Sequence, residues 1–283
     1  MSYIYVGIAV VLLAFEFACS KKYQSLEGTQ MVPGLRFNAL AGLLSAVTML
    51  IITGFRPAWS AVSLALAIGQ AACCIAYSLI GFQVLKMGGM ALYSTFLMSG
   101  GMLLPYFVGV AIWNEQLNWL RIVGVVLILG AVILSNFRKE RINKKLIALC
   151  CAVFVLNGFV SILSKYHQIL APIDSTNFAM YAGAAKFLLC ALVLLFCRKA
   201  PSSFMQSKRS YWVIAATAVV CGTSYLLQLM GAKDLPATVL YPMITGGCVV
   251  MSALAGVIFF KEKLSKLQLF SILLCLAGTL FFL

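Results

Sequence analysis

The sequence predicts an all-α integral membrane protein with ten transmembrane helices, arranged as two inverted repeats of five. Three observations predict it. Hydrophobic residues make up 63% of the 283 residues and charged residues only 10%, against about a quarter in soluble domains. The apolar segments run for roughly 18–23 residues, the length that crosses the hydrocarbon core as a helix. The two halves of the chain also share short motifs in the same order.

Ten apolar segments follow one another with short polar connections, which leave no room for a soluble domain. The alternation of period two that marks a membrane β-barrel is absent. The first segment lacks a basic stretch before it and a convincing cleavage site, so we expect a retained span and not a signal peptide. The predicted spans are 3–20, 34–54, 61–83, 89–112, 117–136, 146–164, 176–197, 211–230, 237–260 and 265–283.

The most polar connection, "NFRKERINKK" at 136–145, divides the chain into two parts of five spans each. We therefore predict a first repeat at 1–137 and a second at 138–283. Because five is odd, the second repeat must enter the membrane upside down relative to the first. Inverted repeats of this kind are typical of secondary transporters, with a site near the midplane.

Three sequence matches support the repeats. A shift of 147 residues pairs Gly100 with Gly247, and it also pairs Glu115 with Glu262. A shift of 144 pairs "SKKYQ" at 20–24 with "SKYHQ" at 164–168, and a shift of 141 pairs "FNALAG" at 37–42 with "FAMYAG" at 178–183. Each match is short, but all three occur in the same order.

The basic residues set the predicted orientation. Four lie at the termini or after spans 2, 4, 6 and 8, and sixteen lie after spans 1, 3, 5, 7 and 9. Positive charge collects on the cytoplasmic side, so we expect both termini outside. The formal charge of +14 is thus carried by short loops, which suits phospholipid contact and makes a nucleic-acid partner unexpected.

The ten cysteines lie mostly within apolar spans and are expected to be free thiols.

The two repeat ends carry a family resemblance. They read "GVAIWNEQLNWLRIVGVVLILGAVIL" and "GVIFFKEKLSKLQLFSILLCLAGTLFF", each with an aromatic-x-Glu break before a closing span. In these motifs the chain resembles the drug/metabolite transporter superfamily, specifically its ten-helix EamA-like type. The resemblance implies a transporter in a bacterial inner (plasma) membrane. We expect a small-molecule substrate, contact with membrane lipid, a monomer or homodimer, and no cofactor.

The first span, "YIYVGIAVVLLAFE", also resembles the first helix of small multidrug resistance proteins. In those proteins a membrane carboxylate binds protons and cationic drugs in turn. Glu16 lies about one helical turn further along than that carboxylate, and the second repeat has Val160 in its place. The resemblance alone therefore leaves the role of Glu16 open.

Glu16 and Lys186 are the deepest charged residues. Counted along their spans, they lie roughly 20 Å and 15 Å from the same membrane face. We predict that both face a central cavity and pair with each other or with a charged substrate group. The alternative is that Glu16 lies near the cytoplasmic edge and meets headgroups or Lys21, Lys22 and Lys199.

Uncharged polar residues within the spans either orient a substrate or hold helices together. Asn157 is the best substrate candidate, because the repeat places it opposite Leu13, one turn from Glu16; the role of Gln228, opposite Gly81, stays open. The full set is Asn38, Gln70, Gln83, Asn157 and Gln228.

Four tyrosines could offer ring faces to a substrate. Interfacial anchoring is the alternative, and it suits Tyr93 and Tyr241 near span ends better than Tyr77 and Tyr225. Our predicted substrate-binding set is Glu16, Lys186, Asn157, Tyr77, Tyr225, Gln228 and Asn38.

Spans 4 and 9 concentrate small residues and prolines. They predict either a moving cavity wall or tight packing seams, and the two are compatible. Glu115 and Glu262, which close these spans, are predicted to form interface salt bridges or turn caps. The glycines and prolines are Gly88, Gly89, Gly100, Gly101, Gly246, Gly247, Pro105, Pro236 and Pro242.

No arrangement of residues indicates an enzyme. The single histidine, His167, is expected in a short loop without partners at metal-site spacing, and no phosphate-binding loop motif occurs. We therefore expect a secondary carrier of a small organic metabolite or drug, with the proton as the favoured partner if transport is coupled. A cavity lined by spans 1, 4, 6, 7 and 9 would favour it. The alternative is a non-transporting membrane assembly or partner protein, with a tightly packed interior.

Overall fold

The fold is built from α-helices alone throughout the part of the chain that the structure describes. This is a computed structural model, and it describes residues 1–28, 30–87, 90–136, 143–196, 207–261 and 264–282. The helices are α1 (Ser2–Glu27), α2 (Met31–Ile52), α3 (Ala61–Lys86), α4 (Met90–Ala111), α5 (Trp119–Ser135), α6 (Lys144–Leu170), α7 (Ser175–Phe196), α8 (Lys208–Asp234), α9 (Ala237–Phe260) and α10 (Lys266–Leu280).

Eight of these helices are long and apolar enough to cross a membrane. The other two, α5 and α10, have 17 and 15 residues, about 26 and 23 Å at the helical rise. Polar side chains set where these two helices begin: Asn118 and Ser265 are extended and accept hydrogen bonds from the first turn of α5 and of α10. The predicted all-α membrane fold is confirmed.

Helices α1 to α5 correspond in order to α6 to α10, and the main helix contacts are the same when the two sets are exchanged. Helix α1 packs on α8 as α6 packs on α3, and α4 packs on α6 as α9 packs on α1. Helix α2 packs on α8 as α7 packs on α3, and counterparts meet directly at α2–α7, α4–α9 and α5–α10. Exchanging the halves therefore leaves the main pairings unchanged, as expected for two repeats related by a two-fold axis.

The close contacts repeat this exchange residue by residue. A Cβ at Gly100 would lie 2.2 Å from the backbone oxygen of Phe154. At Gly247, 147 residues later, a Cβ would lie 2.7 Å from a methyl group of Val10, and Val10 precedes Phe154 by 144 residues. The glycines of α4 and α9 therefore lie at matching positions against α6 and α1, in the register that the sequence predicts, although Gly100 meets backbone and Gly247 meets a side chain.

Helices α2 and α7 cross where two glycines meet. A Cβ on Gly42 would lie 2.9 Å from the backbone oxygen of Gly183, and one on Gly183 would lie 2.8 Å from that of Gly42. The 141-residue shift aligns these same two residues. The crossing therefore lies at the two-fold axis, and only backbone fits between the helices.

Several predicted features fall outside the described residues. The boundary at 137/138 is one of them. The others are Gly88, Gly89, Arg138, Lys139, Arg141, Arg198, Lys199, Glu262 and Lys263.

Candidate functional site

A cavity of about 430 Å³ lies between the two halves. Among the described residues its lining comes from α1, α2, α3, α4, α6, α7, α8 and α9, so α2, α3 and α8 add to the five predicted spans. Helices α5 and α10 pack on each other and on α9, outside this lining. The lining side chains that can bind by charge or hydrogen bond are Glu16, Ser45, Gln70, Cys74, Tyr77, Asn157, Ser161, Ser164, Lys186, Cys221, Tyr225, Gln228, Tyr241, Thr245 and Cys248.

Glu16 and Lys186 both line this cavity, and within the described lining they are the charged side chains. Each is partly exposed, and the charges lie close enough to act on each other. Both helices begin at one face of the bundle, so the residues lie about 21 and 17 Å below it. We call this face the first face and the opposite one the second face. Glu16 therefore lies in the cavity lining and well inside α1, as the first of the two interpretations predicts.

Thiols surround the charge pair. Cys221 on α8 lines the cavity together with the Glu16 carboxyl group. Cys74 on α3 lines the same cavity as Lys186. Cys74 and Cys221 are 147 residues apart and so are repeat counterparts. The two halves therefore contribute matching thiols beside charges that have no match.

Tyr225 is held rigidly at the cavity wall. Its hydroxyl donates to Oε1 of Gln70 at 2.9 Å and lies 3.1 Å from Oγ of Ser164. Gln70 is only 6% exposed, and its amide nitrogen donates to no other described residue. The bond to Tyr225 fixes the orientation of the Gln70 amide, which leaves that nitrogen available toward the cavity.

Asn157 joins two helices and also lines the cavity. Its Nδ2 donates to the backbone oxygen of Leu97 at 2.7 Å, which joins α6 to α4. A Cβ at Gly101 would lie 2.6 Å from this nitrogen, so the glycine makes room for it. Among the described residues nothing donates to Oδ1, so this oxygen can accept from a ligand.

The other predicted site residues differ in position. Tyr77 and Gln228 line the cavity, and Tyr77 is a neighbour of Cys74. The Gln228 amide donates only at 3.4 Å, to Ser224 one turn earlier. Asn38 is outside the lining and donates to the backbone oxygen of Gly34 in its own helix, at 3.0 Å. The structure thus brings together six of the seven predicted residues.

Comparison with known proteins identifies the family. Residues 144–283, the five helices of the second half, match the EamA-like transporter family. The chain carries an EamA-like transporter domain. The transporter also shares its fold with a solved crystal structure, at a TM-score of 0.78 over 98% of this chain and 94% of that chain. Sequence identity is 15%, so this likeness concerns the fold alone. No curated protein matches the sequence.

The family assignment confirms the resemblance to the EamA-like type of the drug/metabolite superfamily. Members of this family are membrane transporters. The chain is therefore an integral membrane protein of a transporter family, and its cavity lies between membrane-spanning helices.

At the first face of the bundle, Lys165 links α6 to the end of α8 beside the cavity. The predicted connection around this residue is instead part of α6, and Lys165 is 5% exposed. Its ammonium group donates to the backbone oxygens of Ala232 and Leu235 at 2.6 and 2.7 Å. These carbonyls are at the end of α8, where a cation is favourable. Ser164 and Ala232 line the cavity, so the contact borders it.

Glu115 ties the two halves together at the same face. Its carboxylate oxygens accept hydrogen bonds from the backbone amides of Ala237 and Thr238 at 2.7 and 2.8 Å. These amides begin α9, which has no side-chain cap of its own. Of the two predicted roles, the structure supports the cap. The matching Glu262 lies outside the described residues.

The expected loop position of His167 is wrong. Helix α6 continues to Leu170 and ends at Ala171 in the left-handed conformation. His167 is fully buried, stacks on Phe178 with ring centroids 3.7 Å apart, and lies 2.9 Å from the hydroxyl of Ser63. The helix persists because packing against α3 and α7 satisfies its polar side chains. The described residues contain no group of potential ligands that could hold a metal ion.

Some cavity residues escaped the sequence analysis. From sequence alone, Cys74, Cys221 and Cys248 look like small hydrophobic residues, and Ser161 and Ser164 look like ordinary residues in a helix, yet all five line the cavity. A helical wheel centred on Glu16 and Lys186 could not have found them, since they lie on other helices. The 147-residue match of Cys74 with Cys221 was the available signal.

Proposed function

We propose that this protein is a secondary carrier that moves a small organic metabolite or drug by alternating access between its two halves. One observation carries the proposal: a cavity of about 430 Å³ at the interface of the halves, with a carboxylate and an ammonium group deep inside it. A cavity of this size suits a small molecule. Charged groups at such depth are costly unless they serve a ligand or a partner.

Substrate binding would involve Glu16, Lys186, Asn157, Tyr77, Tyr225 and Gln228. The first two supply charge, and Asn157 supplies a carbonyl oxygen that accepts no hydrogen bond from another described residue. Gln70 joins this set because Tyr225 fixes its amide. Asn38 remains a prediction, and its hydrogen bond within α2 gives no support to it.

Alternating access would open the first face by separating contacts that now bridge the halves. The bridging contacts there include Glu115 to the start of α9 and Ser63 to His167. Ser2 also bonds to Asp234, and Ala58 bonds to Asn177 and Tyr181. At the second face, Glu27 accepts from the hydroxyl of Ser210 and from the amide of Ser207, also across the halves. Each face thus has a carboxylate from the first half bound at a helix start in the second half.

A coupling proton, if one is used, would be carried by Glu16, the carboxylate within the described lining. The ammonium group of Lys186 in the same cavity would compete with this proton. A proton-coupled carrier would accumulate its substrate against a gradient when a pH difference is imposed across the membrane. A carrier that only equilibrates its substrate would not.

Ligand binding to the purified protein tests the proposal. A thermal-shift screen against metabolites and cationic drugs, run at two pH values, should find compounds that raise the melting temperature. The stabilisation should weaken in Glu16→Gln and persist in Lys22→Met, a control that removes an exposed charge at the far end of the same helix.

Compounds that bind are then tested for flux in proteoliposomes. Saturable uptake that Glu16→Gln abolishes and Lys22→Met retains would support a carrier. Binding without any flux, or no binding by any compound, would contradict it and favour a membrane assembly protein.

A further inference from the structure

A buried chain of hydrogen bonds joins the two halves at the first face. Ser63, near the start of α3 in the first half, has its Oγ 2.9 Å from Nε2 of His167, near the end of α6. Nδ1 of the same ring lies 3.0 Å from Nε2 of Gln168. Oε1 of Gln168 accepts from the hydroxyl of Ser175, the first residue of α7, at 2.8 Å. We call these four residues the first-face latch.

The hydrogen bonds fix the protonation state of the imidazole. The amide nitrogen of Gln168 can only donate, so Nδ1 of His167 is the acceptor and carries no proton. The proton of the neutral ring is then on Nε2, where Oγ of Ser63 accepts it. The latch therefore requires a neutral imidazole, because a second proton on Nδ1 would face another donor.

The surroundings of the ring are unsuited to a positive charge. His167 is 0% exposed and stacks on the apolar ring of Phe178. Turning the Gln168 amide over would offer an oxygen to Nδ1, but the charge would stay buried. A buried charge is costly unless it is paired, and among the described residues no carboxylate bonds to the ring. Protonation therefore favours a form in which water reaches the ring, which requires α3 to separate from α6 and α7.

The charged side chains at this end of the neighbouring elements leave the ring unpaired. The first three turns of α3 and of α7 contain no charged residue. The charged residues with other partners are Glu115, Lys165, Asp174 and Asp234. Arg56 and Lys233 are exposed.

The second face has the equivalent contact with different chemistry. Ser210 follows its counterpart Ser63 by 147 residues, and its hydroxyl donates to the carboxylate of Glu27 at the end of α1. Tyr23 precedes His167 by 144 residues and takes its place in the repeat. This contact contains no imidazole, the side chain that ordinarily changes its charge between about pH 5.5 and 7.5. Acid should therefore affect the two faces differently.

We propose that the first-face latch is a pH-sensitive closure, which holds the halves together while His167 is neutral and releases them when the imidazole is protonated. An exposed imidazole takes up its proton at about pH 6.5. If the ring is neutral in the held form and ionises in the released form, the released fraction should rise about tenfold from pH 7.5 to 5.5. The effect on transport rests on the proposed carrier function, whereas the latch does not depend on what the cavity binds.

Amide hydrogen exchange of the full chain in detergent tests the latch without any substrate. After correction for the intrinsic effect of pH on exchange, segments 58–66 and 165–180 should exchange about tenfold faster at pH 5.5 than at pH 7.5. Segments 20–27 and 208–214, at the second face, should show no such change.

Three variants separate the imidazole from the rest of the latch. His167→Gln keeps a donor toward Ser63 but cannot become charged, so the protection of the first face should be the same at both pH values. His167→Tyr places there the residue of the matching position in the other half, and it serves the same purpose if His167→Gln does not fold. Ser210→Ala is the matched control. It should lower protection at the second face and leave the tenfold effect at the first face intact.

The chain contains one histidine, so protein labelled with nitrogen-15 histidine, and purified through a tag without histidine, reports the ring directly by NMR. At pH 7.5 the spectrum should show a proton on Nε2 and none on Nδ1. A charged ring at pH 7.5, pH-independent exchange in the wild type, or an unchanged pH effect in both His167 variants would overturn the inference. These results stand apart from flux: absence of flux for every solute would contradict the carrier function alone, and normal flux without the pH effect would contradict the latch alone.

Discussion

The two halves of the protein share their helix pairings but differ in the chemistry that they bring to the cavity. Gly100 and Gly247 make matching seams, and Gly42 meets its own counterpart Gly183. Glu16 and Lys186, by contrast, have no charged counterpart. The comparison teaches that small residues at helix crossings maintain the symmetry of the scaffold, whereas single side chains between those crossings make the two sides of the site different.

The largest expected effect comes from removing the unmatched charges. Lys186→Met and Glu16→Gln should each lower the transport efficiency for the preferred solute by about 30-fold or more, since leaving one charge without its partner costs roughly 2–5 kcal/mol. The counterpart variants Ser45→Ala and Val160→Ala should lower it much less. Initial uptake rates in proteoliposomes measure this. Equal losses at matched positions would mean that the charges have no special role.

The symmetry of the scaffold is tested at the α2–α7 crossing. Gly42→Ala and Gly183→Ala each force a methyl group against backbone, and each should destabilise the protein by about 1–3 kcal/mol. Gly7→Ala is the control, because a Cβ there meets nothing within 4 Å and should stabilise the helix by up to about 1 kcal/mol. Thermal unfolding in detergent measures all three. A stable Gly42→Ala beside an unstable Gly183→Ala would break the symmetry argument.

Glu115 tests a contact that crosses between the halves. Glu115→Ala leaves the first amides of α9 without an acceptor and should cost about 1–2 kcal/mol. Gln116→Ala, at an exposed neighbouring position, should change the melting temperature little. If the two variants have the same melting temperature, the cap contributes nothing to the stability of the contacts at the first face.

The smallest effect is expected at Asn157, whose repeat counterpart is Leu13. Asn157→Leu removes the hydrogen bond to Leu97 and should cost stability by about 0.6 kcal/mol, the average for polar contacts between membrane helices. A larger fall in ligand affinity than in stability would assign Oδ1 to the substrate. A fall in stability alone would leave Asn157 as a link between α4 and α6.

Much of the fold follows from the sequence, because the length of the apolar segments and the glycines at matching repeat positions are compatible with few arrangements of the helices. The shift of 141 residues named Gly42 and Gly183 as equivalents, and the structure places them in contact. Helix ends were less predictable. The chain around Lys165 and His167 looks like a polar loop, yet it stays helical because α3, α7 and α8 supply hydrogen-bond partners. Those partners are distant in sequence, so local composition could not indicate them.

The sequence predicts candidate site residues where a side chain is unusual for its surroundings. A carboxylate and an ammonium deep in apolar spans stand out, and both line the cavity. Gln70 could not be separated from the other span amides, because its role depends on the hydroxyl of Tyr225, 155 residues away. Asn38 is a polar span residue outside the cavity lining, because its side-chain amide can donate its hydrogen bond to the backbone of its own helix.

The cysteines around the cavity have a practical consequence. Cys74, Cys221 and Cys248 line it, and all three are free thiols. In a variant whose other cysteines, among them the exposed Cys151, are replaced by serine, membrane-impermeant alkylating reagents applied from either side of a sealed vesicle would report which side the interior communicates with. A bound solute should shield the same sulfur atoms from alkylation, so the protein contains its own probes of occupancy.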